Sequence, residues 1–273
     1  MSTRKAILWS IIWITASLLL NLVVYFVLGY QKALEFFTGY VIEKSLSVDN
    51  LFVFLLIFSY FNVQPEQQRR VLNYGIIGAV ILRGILILLG TALVHQFHWI
   101  MYIFGAILLY SGYQILVGRE RKINPAKNPV LTLVRKIIPV SETADRGRFF
   151  HREDGRLFAT SLFLVLIILE TTDVLFAVDS IPAIFSITTD PLIVFTSNIM
   201  AILGLRSLYF VLEKSQRKFV YMKYGIGLVL AYVGIKMLIM NIYQMNVASS
   251  LLVVGGILVA SMVLSVVLKP TSR

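Results

Sequence analysis

Glu43-Lys-Ser-Leu-Ser-Val-Asp49-Asn50 and Asp173-Val-Leu-Phe-Ala-Val-Asp179-Ser180 are two copies of one acidic motif, and both lie inside long apolar runs. Each copy reads acid, five residues, Asp, and then an amide or hydroxyl side chain, and the copies are 130 residues apart. Acidic side chains are costly inside a bilayer and usually face a pathway or a charged partner. The repetition therefore predicts a cation site that is built twice.

The composition is that of a membrane protein. Of the 273 residues, 58% are hydrophobic and 14% are charged, and the mean hydropathy is +0.82. A soluble domain of this length would need more charged residues to cover its surface. Apolar stretches of about 20 residues recur along the chain, which indicates transmembrane helices. The sequence thus predicts an all-α polytopic membrane protein.

Eight transmembrane spans are predicted, which places both termini on the same side. The spans lie near 7–29, 35–61, 71–94, 99–118, 157–187, 191–212, 222–242 and 247–268. In this topology nineteen basic residues, ten of them in the loop 119–156, fall on one side, against Lys32 alone on the other. By the positive-inside rule, both termini and this loop are cytoplasmic. The first run is longer than a signal-peptide core and predicts a retained signal-anchor helix.

An internal repeat organises these spans into a single transmembrane domain. Arg83 matches Arg206 one span after each motif, and the 105–114 pattern Gly-x4-Tyr-x-Gly-x-Gln matches Gly-x4-Tyr-x-Gly-x-Lys at 227–236. Each unit has three spans, so the second copy must enter the membrane upside down, as in many transporters. The predicted parts are repeat 1 at about 35–118, a cytoplasmic linker at 119–156, repeat 2 at about 157–242, and peripheral helices at 7–29 and 247–268.

The linker has too few apolar residues for a core of its own. Residues 129–138 read as an amphipathic segment on the membrane surface. Residues 149–158 carry a turn signal at Asp154-Gly155 between apolar ends, which predicts a short hairpin.

The chemistry of the candidate site is restricted to oxygen ligands, because the chain has no cysteine and no histidine near the motifs. Such ligands suit Mn²⁺, Mg²⁺ or Ca²⁺ rather than Cu⁺ or Zn²⁺. The five acids Glu43, Asp49, Glu170, Asp173 and Asp179 outnumber the three bases Arg83, Arg206 and Lys236 by two charges, which one divalent cation or two protons would neutralise; Lys44 would reduce this excess if it lies at the same depth. The candidate metal ligands are Glu43, Asp49, Glu170, Asp173, Asp179, Asn50 and Ser180, and the candidate pathway or gating residues are Arg83, Arg206, Asn198 and Lys236.

Helical geometry limits how each motif can act. Residues six apart are separated by about 240° around a helix, so Glu43 and Asp49 cannot share one face of an intact helix. Either the two acids of a motif address different partners, or the helix unwinds between them. The acid-bearing spans, of 27 and 31 residues, exceed the roughly 20 needed to cross a bilayer. This excess favours a strong tilt or a break, and Pro182 removes one backbone hydrogen bond after the second motif.

Several of these residues have structural alternatives. The acids could form ion pairs with Arg83 and Arg206 that only hold the repeats together, and for both arginines a structural or gating role is favoured over substrate contact. Asn198 either lines a pathway or makes a helix–helix hydrogen bond. Lys236 is either a mobile counter-charge or a lysine that extends to the helix end. Five acids exceed what two arginines need, and this favours transport.

The sequence strongly resembles the TerC family of integral membrane proteins, in particular its Alx-type members. The matching stretches are 39–54, 173–185 and 188–206, and the resemblance covers roughly residues 7–268. It implies a metal-ion exporter, chiefly for manganese, in the bacterial inner membrane. It also implies functional acids at Glu43, Asp49, Asp173 and Asp179, with Glu170 as a further match. Alx-type members often carry one more N-terminal span, and the family name reflects an older link to tellurium resistance.

These observations predict a divalent metal-ion exporter that moves Mn²⁺ out of the cytoplasm by alternating access, with proton exchange as a natural driver. The alternative is a non-transport membrane scaffold or assembly factor, or a tellurium-resistance-associated protein, with structural ion pairs. Neither Gly-x-Gly-Asp nor His-Glu-x-x-His occurs, so no enzymatic activity and no cofactor are expected. The expected partners are the divalent ion and the lipid bilayer, without nucleic acid. Ion selectivity, coupling, oligomeric state and the choice between carrier and channel stay open.

Overall fold

The computed structural model describes residues 3–118, 129–140, 147–153, 156–213, 221–243 and 245–267. The backbone of Asp49 is helical, and its side chain lies outside the described part. The helices and strands of these ranges are α1 (Thr3–Leu28), α2 (Tyr30–Tyr60), α3 (Pro65–Gln96), α4 (Ile100–Leu116), α5 (Pro129–Ile137), β1 (Phe150–Glu153), β2 (Arg156–Ala159), α6 (Ser161–Phe185), α7 (Pro191–Leu203), α8 (Leu205–Leu212), α9 (Met222–Leu238) and α10 (Val247–Val267).

The all-α polytopic fold class is confirmed. Five segments of the described chain are long and apolar enough to cross a membrane, and they coincide with five of the eight predicted spans: Arg4–Leu28, Pro65–Gln96, Ser161–Phe185, Pro191–Leu212 and Val247–Ser265. The other three predicted spans correspond to α2, α4 and α9. Helices α4 and α9 have 17 residues each. Helix α2 has 31 residues, but its charged side chains lower its hydropathy.

The two acid-bearing helices are continuous. Helix α2 runs through the first motif without interruption, and α6 runs through the second, with Pro182 in its last turn. Pro182 removes the hydrogen bond that its N–H would donate to the carbonyl of Val178, yet α6 continues past it to Phe185. Of the two alternatives left open by helical geometry, unwinding between the paired acids therefore does not occur. The predicted span 157–187 was also too long at its start, because residues 156–159 form β2 and the helix begins at Ser161.

A discontinuity occurs instead inside the predicted span 191–212. Helix α7 ends at Leu203 and α8 begins at Leu205, with Gly204 between them. Gly204 keeps helical dihedral angles, φ −80° and ψ −8°, so α8 follows α7 directly, but the N–H of Gly204 bonds to Ile202 and departs from the regular helical pattern. This interruption lies on the helix that packs against the first acidic motif.

Each helix of the first predicted repeat packs mainly on a helix of the second. Helix α2 lies against α7, α3 lies against α6, and α4 lies against α9. Helix α1 packs on α2 and α8, and α10 packs on α9 and α2. The first helix of each predicted repeat thus packs on the second helix of the other repeat, and the two third helices pack on each other. Two copies related by a two-fold axis would show this arrangement. The inverted repeat itself stays a prediction.

The contact between α4 and α9 depends on the glycines of the matched pattern. A Cβ at Gly105 would lie 3.0 Å from the carbonyl oxygen of Gly234, and a Cβ at Gly112 would lie 2.7 Å from that of Gly227. Gly105, in the first half of α4, meets Gly234, in the last part of α9, so the two helices run antiparallel. Small residues at such a contact let helix backbones approach closely in a membrane.

The linker between the two predicted repeats contains the two small elements that its sequence predicts. Strands β1 and β2 pair antiparallel, with Phe150 opposite Ala159 and Glu153 opposite Arg156. The turn residues 154–155, like 119–128 and 141–146, lie outside the described ranges. Helix α5 packs on α6 and buries Leu131, while Leu133 and Ile137 are exposed, which gives the amphipathic helix expected there.

Asp190 connects the start of α7 to the start of α2. Its carboxylate caps α7 by accepting the backbone N–H of Leu192 at 3.1 Å, and it lies 2.9 Å from the ammonium nitrogen of Lys32. Burial opposes ionisation of Asp190, but the hydrogen bond and the charge of Lys32 outweigh burial, and the pKa falls below its ordinary value of 3.8.

We expect Asp190→Ala to destabilise the protein by about 1 kcal/mol, the usual contribution of a helix N-cap. Lys32→Ala should cost less, because a partly exposed ion pair is worth about 0–1 kcal/mol. A carboxylate whose folded pKa is lowered stabilises at pH values above its unfolded pKa, and the contribution is lost as pH falls through the folded pKa. The difference in thermal unfolding between wild type and Asp190→Ala should therefore be constant near neutral pH and shrink below about 3.8. A difference that grows on acidification would contradict this assignment.

Candidate functional site

Arg83 is the centre of a buried polar cluster. Its side chain is 1% exposed and it donates two hydrogen bonds to Asp173, from Nε to Oδ2 at 2.9 Å and from Nη2 to Oδ1 at 2.8 Å. Its Nη1 donates to Glu43, whose side chain is fully buried. A planar guanidinium suits this bidentate geometry, which lysine cannot reproduce. One arginine on α3 thus connects the first acid of both motifs, on α2 and on α6.

Polar side chains complete the coordination of these charges. Asn198 on α7 donates from Nδ2 to Glu43 Oε2 at 3.0 Å, and its Oδ1 accepts from Arg83 at 3.3 Å. Ser47 donates to Glu43 at 3.2 Å, and Ser180 accepts from Arg83 at 3.4 Å. We call this set the Arg83 cluster: Arg83, Glu43, Asp173, Asn198, Ser47 and Ser180. With both acids ionised it carries one excess negative charge.

The cluster lies near the middle of the helices that form it. Glu43 and Asp173 lie close to the middle of α2 and α6, and Arg83 lies in the second half of the 32-residue α3. Ser47 follows Glu43 by one helical turn, so the two side chains share a face of α2. An isolated charge at this depth would be expensive, which explains why each charged group of the cluster has a partner.

The second motif directs its two acids to different partners. Asp173 binds Arg83, whereas Asp179 accepts a hydrogen bond from Ser111 on α4 at 2.8 Å. The two acids of this motif therefore address different partners, so α6 need not unwind between them. For the first motif, the partners of Asp49 fall outside the described side chains, while Asn50 is 3% exposed in α2.

Glu170 lies one turn before Asp173 but contacts a different surface. Its carboxylate packs directly on Gly78 of α3, where any Cβ would overlap with it. Its Oε2 is buried and has no hydrogen-bond partner among the described residues. A cavity of about 30 Å³, large enough for about one water molecule, is lined by Glu170, Asp173 and Arg206 together with apolar side chains.

Two of the predicted pathway residues lie apart from the Arg83 cluster. Arg206 on α8 donates to the side-chain oxygen of Asn73 on α3, and in the described structure its guanidinium is in no ion pair. Lys236, in the last turn of α9, is 8% exposed and takes no part in the hydrogen bonds of the cluster. The matched positions Arg83 and Arg206 are therefore not equivalent in their contacts.

Arg83 occupies the space between the two buried carboxylates. Among the described side chains, which exclude that of Asp49, no three acidic or histidine residues are close enough to hold a metal ion together. The arrangement can therefore act chemically in two ways: as a structural ion-pair network, or as a site at which a cation competes with Arg83 for the carboxylates.

Four contact residues were missed at the sequence level. Ser111 binds Asp179, Asn73 binds Arg206, Gly78 accommodates Glu170, and Lys44 reaches across to α7. Ser111 directly precedes Gly112 of the repeated pattern, so its position was a usable signal. The other three positions carried no such sequence signal, because their partners come from helices that are distant in sequence.

Comparison with known proteins identifies the family. The chain matches the "Integral membrane protein TerC family" over residues 28–273. It belongs to the TerC family. Among its relatives is Alx of Salmonella typhi, named as a proposed membrane-bound redox modulator, which is 48% identical over 273 residues, covering 97% of this chain and 85% of the relative. Alx of Escherichia coli K12 is 47% identical with the same coverage.

A plant relative extends this TerC comparison. The chloroplastic thylakoid membrane protein TERC of Arabidopsis thaliana is 46% identical over 211 residues, which cover 77% of this chain and 55% of the plant protein. No solved structure matches the chain. The protein is thus a TerC-family integral membrane protein with bacterial relatives.

Proposed function

We propose that this TerC-family protein exports a hard divalent cation, with Mn²⁺ as the principal substrate. The observation that carries the proposal is the Arg83 cluster, in which two buried acids share a single arginine and leave one excess negative charge. A purely structural pair would need only one acid for that arginine. Carboxylate, amide and hydroxyl oxygens surround the charge, and these ligands suit Mn²⁺, Mg²⁺ and Ca²⁺.

Arg83 takes the place of the cation in the proposed cycle. When Glu43 and Asp173 bind the divalent ion, the guanidinium must withdraw from at least one of them, because both oxygens of Asp173 and one oxygen of Glu43 accept hydrogen bonds from Arg83. When the ion leaves, Arg83 returns and pairs with both acids. This exchange keeps the acids paired throughout, which avoids an isolated buried charge. Asp179, Asp49, Glu170 and Asn50 are then candidate ligands on the path.

The architecture supports a carrier. The Arg83 cluster takes residues from α2 and α3 on one side and from α6 and α7 on the other, so it lies where the predicted repeats meet. In transporters with inverted repeats, movement of one repeat against the other exposes such a site alternately to each side. We place the protein in the bacterial inner membrane with both termini cytoplasmic, from the distribution of basic residues. No enzymatic activity and no cofactor belong to this proposal.

Proton exchange is the proposed driving force. Protonation of the acids would release the cation on the far side, and deprotonation would restore the site. Export from proteoliposomes should then slow when the proton gradient is collapsed with an uncoupler. Export that continues at an unchanged rate would rule out this coupling while leaving the transport proposal intact.

A scaffold role is the second candidate, because the Arg83 cluster ties four helices together and a structural network would do the same. The name of the Alx relatives suggests a redox role. This chain has no cysteine, so a thiol-based redox reaction would have no residue to carry it. Of the scaffold role and the redox role, only the scaffold role is supported by contacts of this protein.

The deciding experiment compares manganese accumulation in cells that express the wild type or Asp49→Asn, with Asp173→Asn as a second test. We expect the wild type to lower cellular manganese and each variant to lose at least about tenfold in export rate, since even outer-shell changes at metal sites cost 10–100-fold. Glu66→Gln, at an exposed acid in the first turn of α3, is the matched control and should behave as wild type. Equal accumulation in wild type and both variants, at equal protein levels, would refute the site.

A further inference from the structure

Lys44 directly follows Glu43 but binds a different partner. Its ammonium nitrogen donates to the carbonyl oxygen of Ala201 on α7 at 3.1 Å. The ion pairs found in the described residues use Lys32 and Arg83, and none includes Lys44. Lys44 is therefore a half-buried cation bound by a backbone oxygen and without a carboxylate partner in those ranges.

The carbonyl that Lys44 binds belongs to the interrupted helix. Ala201 lies in the last turn of α7, which ends at Leu203 before Gly204. The last carbonyls of a helix lack partners further along it, and they carry the negative end of the helix dipole. Because the positive end of α8 begins at Leu205, the favourable contact is the hydrogen bond from Lys44 to Ala201 rather than the dipole of α7.

The ammonium group uses space that a side chain at position 204 would fill. A Cβ at Gly204 would lie 2.5 Å from Lys44 Nζ and 3.3 Å from the Cβ of Trp13. Gly204 thus leaves room for the ammonium group, and Trp13 of α1 also lies close to position 204. A larger residue at position 204 would displace the group.

The same stretch of α7 also binds the Arg83 cluster. Asn198, three residues before Ala201, donates to Glu43. The neighbouring residues Glu43 and Lys44 of α2 thus bind positions that are about one turn apart on α7. In carriers with discontinuous helices, carbonyls at half-helix C-termini coordinate coupling cations. A cation at Ala201 would thus keep α7 in the position from which Asn198 reaches Glu43.

We propose that the α7–α8 break is a monovalent-cation site and that the ammonium group of Lys44 fills it permanently. The inference concerns a different site from the proposed divalent-cation site, and only its transport test rests on the proposed function. It has a direct consequence. The wild type should need no Na⁺ or K⁺, whereas a variant without the ammonium group should bind a small monovalent cation from solution.

The first test measures binding without transport. Thermal unfolding of purified Lys44→Ala is recorded in NH₄⁺, Na⁺ or K⁺ and, at equal ionic strength, in N-methylglucamine, whose cation is too large for the site. We expect at least one small cation to raise the unfolding midpoint of Lys44→Ala by about 2–4 °C at about five times its Kd. The wild type, Lys44→Met and the exposed-lysine control Lys136→Ala should show no such rise. Identical midpoints for Lys44→Ala in all four media would overturn the proposal.

The second test uses Gly204, in case Lys44→Ala yields too little folded protein. Alanine favours helix over glycine by about 1 kcal/mol, so propensity alone predicts that Gly204→Ala raises the midpoint. Displacement of the ammonium group predicts a lower midpoint in the wild-type background. A raised midpoint would overturn the proposal.

Manganese flux into proteoliposomes then separates the two proposals. Lys44→Ala should transport slowly in N-methylglucamine and recover with the small cation that stabilises it, while the wild type stays insensitive. If the wild type moves no manganese but Lys44→Ala is still stabilised by a small cation, the export function fails and the cation site stands. If the wild type transports and Lys44→Ala responds to no cation, the cation site fails and export stands.

Discussion

Arg83→Gln should destabilise the protein by about 3–5 kcal/mol, the usual cost of breaking a buried ion pair by removing one partner. The substitution leaves Glu43 and Asp173 without a positive charge in a site where neither acid is more than 7% exposed. Arg83→Lys should recover only part of the loss, because a lysine cannot bind Asp173 through two donors. The measurement is chemical or thermal unfolding of the purified protein in detergent.

The matched control for Arg83 is its repeat counterpart. Arg206→Gln removes one hydrogen bond to Asn73 from a partly exposed side chain, and it should cost about 1 kcal/mol. Equal effects at positions 83 and 206 would show that burial of the Arg83 cluster does not determine stability.

Removing all three charges separates transport from a structural role. Replacing a buried ion network by well-packed hydrophobic residues is often close to neutral for stability, and neutral polar replacements likewise leave no unpaired buried charge. The triple variant Glu43→Gln, Arg83→Met and Asp173→Asn should therefore fold better than Arg83→Gln alone. An exporter should remain inactive in this variant, whereas a scaffold should regain function with its stability.

Gly112→Ala should destabilise the contact between α4 and α9 by about 1–3 kcal/mol, and Gly112→Leu should exceed that range. An added Cβ would lie 2.7 Å from the backbone nitrogen of Ala231 and 2.7 Å from the carbonyl oxygen of Gly227. Backbone atoms cannot rotate away as a side chain can, so the two helices must separate. Gly234→Ala should have a similar effect, because its Cβ would lie 2.7 Å from the backbone nitrogen of Leu109.

Two glycines of α10 provide the control for this effect. A Cβ at Gly255 or Gly256 would meet no atom within 4 Å. Alanine at these positions should leave the unfolding midpoint unchanged or raise it slightly, since alanine favours helix more than glycine does. If Gly112→Ala also raised the midpoint, helix propensity rather than the close approach of α4 and α9 would decide stability.

Much of the fold was predictable because hydropathy and residue pattern are local properties. The fold class, the amphipathic α5, the hairpin and the cap at Asp190 all follow from neighbours within a few residues. The errors had local causes too. Residues 156–159 are apolar enough to extend a predicted span, but they form β2. Pro182 suggested a helix break, but it lies in the last turn of α6, which is continuous.

The interruption at Gly204 was not predicted, because no proline marks it and the flanking residues are good helix formers. Only the contacts with Lys44 and Trp13 show why a glycine is needed there. Sequence likewise grouped four paired acids as one site, whereas Asp179 and Asp173 turned out to bind Ser111 and Arg83 respectively.

The sequence by itself determined that this is a membrane protein with duplicated acids deep in its helices, because burial in a bilayer imposes a length and a hydropathy that each segment must meet alone. Only the tertiary structure decided that Arg83, and not Arg206, neutralises Glu43 and Asp173. Side-chain pairing across helices depends on which helices lie side by side and at what height. No periodicity within a single helix contains that information.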